Sequence, residues 1–164
     1  MITLKETLEK GVPFLKYFQK GKPWGTIKNF VYDLAIAEFS DFRPRFYISK
    51  EVKDLENSDQ IIPYLNGIKH YDKGKIYKIL NKDIVHEEHI VPNKVFQNKL
   101  EELNVIDFEE FVRNNFAIAI ILKDENKKLD RNGYKCKRRD TLNQALKIYK
   151  ELNIIVDEVL KEKC

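Results

Sequence analysis

The chain has 164 residues, 43% of them hydrophobic and 12% aromatic, a composition that folds rather than staying disordered. Lys and Arg number 30 against 26 Asp and Glu, a net charge of +4 that assigns no partner by itself. No apolar run reaches the ~20 residues of a membrane helix, and the two cysteines, Cys136 and Cys164, form neither a disulfide framework nor a zinc spacing.

The start, Met1-Ile2-Thr3-Leu4, lacks the apolar stretch of a signal peptide, so a cytoplasmic protein with no membrane partner is expected. Leu4, Leu8, Val12, Leu15 and Phe18 recur at helical spacing, with a break at Gly11-Val12-Pro13. Ile27 to Phe39 reads as a buried helix. Pro44 makes Phe42 to Ile48 extended, and Ser49 caps a short helix after it. Ile61 to Leu65, containing Pro63, closes a helical lobe spanning residues 1–66. Residues 66–84 are rich in Gly and Lys and read as a long loop or short hairpin.

The second lobe, residues 67–164, mixes strands and helices. Val85 to Val91 reads as a strand, and Pro92 opens a helix over 93–103 with Val95, Phe96, Leu100 and Leu103 on one face. Asp107, with Glu110 three residues on, caps a short helix from Phe108 to Arg113. Phe116 to Leu122 is short, apolar and rich in β-branched residues, so it is a buried strand. A charged helix follows, closed by Gly133. Thr141 caps a helix over Leu142 to Leu152, and Ile154 to Lys163 adds another. The fold class is α+β and helix-rich. Its second lobe holds a two-stranded element, strands about 85–91 and 116–122 with a helix about 123–131.

Chemistry concentrates at Glu88-His89-Ile90-Val91-Pro92. A carboxylate can hold a metal ion, and the neighbouring imidazole titrates near neutrality and can take a proton from water. Asp124, Glu125 and Asn126 offer hard oxygen ligands suited to Mg2+ or Mn2+ within one helical turn. The bland alternatives are a surface strand pair at Glu88-His89 and dipole compensation by Asp124 and Glu125 at a helix start. His86 and His89 are three apart, not the four of a zinc protease helix. Positive charge gathers from Lys69 to Lys82 and from Lys135 to Arg139, beside Tyr71, Tyr77 and Tyr134, which suits a polyanion.

In these residues the chain resembles the HNH endonuclease family. The first motif of that family, an acidic residue and then His-Ile-x-Pro, is matched by Glu88-His89-Ile90-Val91-Pro92. Its closing strand and charged helix are similar to Ile120-Ile121-Leu122-Lys123-Asp124-Glu125-Asn126-Lys127-Lys128. The resemblance covers about Val85 to Asp130. The middle asparagine falls on Asn114 or Asn115, the spacing from His89 to Asn126 is longer than in compact members, and zinc cysteines are absent.

The resemblance implies a ββα-metal element and a metal-dependent endonuclease hydrolysing phosphodiester bonds in DNA, in a restriction, phage-associated or toxin setting. His89 would be the general base, and Glu88 and Asn126 (or Asp124 or Glu125) the ligands of Mg2+ or Mn2+. Lys73, Lys75, Lys135, Lys137, Arg138 and Arg139 would hold the backbone. The alternatives are a non-catalytic nucleic-acid-binding or protein-interaction module, and an RNase toxin that uses no metal.

Overall fold

The structure, a computed structural model, describes residues 44–67, 73–102, 105–134 and 139–159. The helices expected between Leu4 and Phe39, and the residues Lys135, Lys137 and Arg138, lie outside the described residues. The chain divides by contact into two units: Met1–Arg43 with Phe96–Asn114, and Pro44–Val95 with Asn115–Cys164. Residues 44–66 therefore group with the sheet and not with the segment before them, because their strand pairs there.

The second unit is built on four strands: β1 (Arg45–Ser49), β2 (Val85–His89), β3 (Ala117–Leu122) and β4 (Val156–Glu158). Their order is β2-β3-β1-β4. β1 runs parallel to β3, while β2 is antiparallel to β3 and β4 antiparallel to β1. The class is α+β, and the expected two-stranded pair is one half of a four-stranded mixed sheet. The partner that sequence alone did not supply is β1, which the buried run Phe46, Tyr47 and Ile48 inserts beside β3.

Register sorts every strand residue onto a face, because side chains alternate and paired residues point the same way. One face carries the rows His89, Ile118, Phe46 and Glu87, Ile120, Ile48. The opposite face carries His86 beside Ile121 and the row Glu88, Ala119, Tyr47, with Glu158 opposite Tyr47 on β4. There the Tyr47 hydroxyl donates to a Glu158 carboxylate oxygen at 3.2 Å.

Short helices connect the strands. Ser49 caps α1 (Lys50–Lys53), its hydroxyl accepting the Val52 N–H at 3.3 Å. Pro63 sits in the first turn of α2 (Ile61–Gly67), where a missing N–H costs no helical bond. The loop or hairpin expected over 66–84 instead contains a helix, α3 (Lys73–Ile79). Ile76 and Leu80, four residues apart and both buried, give it the apolar stripe that its Gly and Lys content obscures.

The helix α4 (Asn93–Glu102) follows Pro92 as expected. In the first unit, α5 (Val105–Asn115) starts earlier than expected, so Asp107 lies in its first turn rather than at its cap. Phe96 meets Phe111 edge-on in that unit, ring centroids 5.4 Å apart, and Phe108 and Val112 are buried.

The helices that complete the sheet unit end alike. After α6 (Lys123–Arg131), Gly133 takes a left-handed φ of 77°, and Gly133 N–H and Tyr134 N–H bond back to Asp130 and Leu129 carbonyls, both at 3.0 Å. This is a Schellman closure. Thr141 caps α7 (Leu142–Glu151) by accepting the Gln144 N–H at 3.3 Å. Asn153, at φ 53°, repeats the closure, with Ile154 N–H on the Tyr149 carbonyl at 2.8 Å. That left-handed residue turns the chain back, so Val156–Glu158 pairs as β4 where a further helix was expected.

Candidate functional site

β2 carries His86, Glu87, Glu88 and His89 on consecutive positions, so strand alternation splits them. His86 and Glu88 share one face; Glu87 and His89 share the other. Glu88 and His89, expected to act as ligand and base, thus leave the strand in opposite directions. The strand ends just after them, where the Ile90 N–H still bonds the Ala117 carbonyl at 3.0 Å and the chain then bends.

On the Glu88 face a charged network forms. The Arg139 Nη2 donates to Glu88 Oε1 at 2.8 Å, and His86 Nε2 lies 3.3 Å from Glu88 Oε2. Both carboxylate oxygens are engaged, and the Arg139 side chain is only 1% exposed. Burial is the largest influence on the Glu88 carboxyl and would raise its pKa. The His86 contact and the Arg139 guanidinium together outweigh it and hold the group below the usual carboxylate value. Tyr149, fully buried on α7, lies in the field of Glu88, Arg139 and Glu125, and burial first, then Glu88, pushes its phenol pKa up. The Arg139 guanidinium, by its charge and by a side-chain hydrogen bond, acts on the phenol in the opposite direction.

The first turn of α6 separates its three candidate ligands. Glu125 joins the network around Tyr149, and its Oε2 accepts the Leu122 backbone N–H at 2.7 Å, an N-terminal cap. Burial raises the Glu125 pKa against the lowering effects of that N–H and of Ser49. Asp124 is exposed and bonds Lys127 at 2.7 Å. Asn126 is half-buried in the same turn. The structure thus gathers Glu88 and Glu125 around Tyr149 and leaves Asp124 outside. Among the described residues, no three of His, Cys, Asp and Glu are grouped to hold a metal ion.

On the other face, the half-buried His89 ring stands 5.7 Å from the Phe116 ring, tilted by 53°. Glu87 is 8% exposed, in the aliphatic row with Ile120 and Ile48, and its Oε2 finds no partner among the described residues. Burial there pushes its carboxyl up to about 8, so it carries its proton at neutral pH.

The expected backbone contacts have different surroundings. Arg139 is buried in the Glu88 pair rather than displayed to solvent. Lys75 on α3 is exposed, with its Nζ 4.9 Å from the centroid of the Tyr64 ring. Lys73 lies in the first turn of the same helix. Sequence reasoning missed Arg139 and Tyr149 as partners of Glu88. Strand parity would have paired His86 with Glu88, but nothing local points across 51 residues to Arg139. No helix among the described residues is long and apolar enough to cross a membrane. Comparison with known protein families, characterised proteins and solved structures finds no match.

Proposed function

We propose that the protein is a nucleic-acid phosphodiester hydrolase of HNH-like type, acting on DNA, with His89 as the general base at the end of β2. One observation carries this reading. The strand bearing Glu88-His89 pairs antiparallel with β3, and α6, starting at the next residue, packs on both strands. That is the strand–strand–helix order such a centre needs, and it puts the α6 first turn on the side of Glu88.

The reading calls for a divalent cation at Glu88, in the place that Arg139 takes in this structure. The carboxylate already holds a cationic group, Arg139, and the His86 imidazole touches its other oxygen. Glu88, with Asn126 or Glu125 from α6, would hold Mg2+ or Mn2+, which supplies charge against a phosphate oxygen and the leaving alkoxide. Glu125 is the better placed of the two α6 acids, since Asp124 is exposed and tied to Lys127. The reading requires the scissile phosphate to be reached by His89 from one face of β2 and by the Glu88 side from the other. Lys75, and Lys135, Lys137 and Arg138 by sequence, supply cations for the backbone.

Cleavage of supercoiled plasmid DNA in Mg2+ or Mn2+ tests this. Changing His89→Ala should slow it on the order of 100-fold or more with the fold intact, and chelation should stop it. Undiminished cleavage in His89→Ala refutes the assignment of the base. Cleavage of RNA in EDTA would replace the reading with a metal-independent ribonuclease. Salt-sensitive binding with no cleavage would leave a binding module.

A further inference from the structure

We propose that the surface formed by α2 and α3 holds the phosphate backbone of nucleic acid, with Lys75, Lys78 and Lys82 as its phosphate contacts and Tyr64 as the residue that orders Lys75. This rests on the hydrolase reading above for its substrate. It deepens that reading by placing the grip on the substrate before the start of β2, whereas His89 stands at the other end of that strand. The distribution of charge is the first support. Residues 60–82 carry five lysines and one acid, Asp72, an excess equal to the net +4 of the whole chain. The rest of the chain is therefore balanced, and the net attraction for a polyanion originates in this segment.

The fold keeps that charge accessible. Lys75 and Lys78, three residues apart, share one face of α3 and are exposed, as is Lys82 just beyond the helix. Ile76 and Leu80, on the other face, are 0% and 2% exposed, so α3 stands on the core and turns its lysines outward. Neither α2 nor α3 contains an acid, and Asp83, the next acid in the chain, lies 3.9 Å from Lys123. The Lys75 Nζ stands 4.9 Å from the centroid of the Tyr64 ring on α2. An ammonium held over an aromatic face keeps its charge and loses side-chain freedom, so less ordering is left to do when a phosphate arrives. A lipid surface is the poorer fit, because Ile76 and Leu80 face the core and leave α3 no apolar face to insert.

The test is fluorescence anisotropy of a short labelled DNA duplex with the full chain, in EDTA and over a range of salt, so that binding is read apart from cleavage. Lys75→Gln, Lys78→Gln and Lys82→Gln should each lower the slope of log affinity against log salt by about 0.9. The triple variant should lose at least about tenfold in affinity at low salt. Tyr64→Leu, which frees the lysine, should weaken binding less than Lys75→Gln and keep the slope. A control that removes the same charge elsewhere, Lys50→Gln with Lys147→Gln and Lys150→Gln, all exposed, should bind within about twofold of wild type. In Mg2+ the triple variant should raise KM for plasmid cleavage and leave kcat near wild type. Equal losses in the triple variant and the control, or a slope unchanged in all three single variants, overturn the site and leave the hydrolase reading standing. Sedimentation with phosphatidylserine vesicles without binding to DNA overturns it in favour of a membrane. Salt-sensitive binding that depends on the three lysines, with no cleavage under any condition, upholds the site and overturns the hydrolase reading.

Discussion

Glu87 and Glu88 are neighbours on one strand, and the sheet gives them opposite environments. Glu88 faces Arg139, His86 and Tyr149, both its oxygens are engaged, and its carboxyl stays ionised. Glu87 stands in a row with Ile120 and Ile48 and is held neutral, its proton retained up to about pH 8. Burial acts on both carboxyls in the same direction. What differs is the company, and that is set by alternation alone. A pair of adjacent acids in a sequence is therefore not a unit of chemistry until the strand's parity is known.

The contrast can be broken most forcefully at the ion pair. Changing Glu88→Gln leaves the Arg139 guanidinium buried without its carboxylate, and should lower stability by about 3–5 kcal/mol in urea denaturation at neutral pH. Arg139→Met should cost a similar amount, and the double variant clearly less than the sum. Strict additivity would show that the two groups do not rely on each other.

The Glu87 side predicts a smaller effect with a distinct pH signature. Its folded pKa is raised, so the folded state binds the proton more tightly than the unfolded chain does. The associated stability is complete below the ordinary carboxylate pKa and is lost as pH rises through about 8. Wild type should therefore weaken toward alkaline pH, on the order of a few kcal/mol across that window. In Glu87→Gln this alkaline slope should vanish with little cost at neutral pH. Glu88 slopes the other way: its lowered pKa gives stability that is present above the carboxylate range and lost as pH falls. An alkaline slope that persists in Glu87→Gln would mean another group is responsible.

The smallest expected effect concerns the helix that supports only one of the two sides. Thr141→Ala removes the α7 cap and should cost about 1 kcal/mol. Because α7 carries Tyr149 to the Glu88 network, the acid limb of the stability profile should move and the Glu87 limb should not. Equal movement of both limbs would show that α7 supports the whole sheet.

Local signals carried much of this fold in the sequence. Ser49 and Thr141 as caps, Gly133 as a helix end, and the apolar run before Leu122 all act within a few residues, and all are where the pattern puts them. Two elements were hidden by weak local chemistry. Lys73–Ile79 is a helix whose stripe is only Ile76 and Leu80, and Val156–Glu158 is too short to show a period of two. The extended form of β1 was legible from Pro44, but its parallel partner was not, since no turn links the two strands. The site followed the same rule. Glu88 and His89 were visible as a motif, while their facing directions required the register and Arg139 required the three-dimensional fold.

The placement of β1 at the centre of the sheet has a consequence for the order of folding. Its neighbour on one side, β3, comes from much later in the chain, and on the other side Tyr47 bonds Glu158, 111 residues on. A ribosome releases β1 long before either partner exists. Phe46, Tyr47 and Ile48 must wait as an unpaired apolar strand, the kind of segment that sticks to other chains. Closure of such non-local pairings is slow because the loop entropy is lost before the contacts form. Refolding yield should therefore fall with protein concentration, and the interval of danger ends only when the last strand has been made.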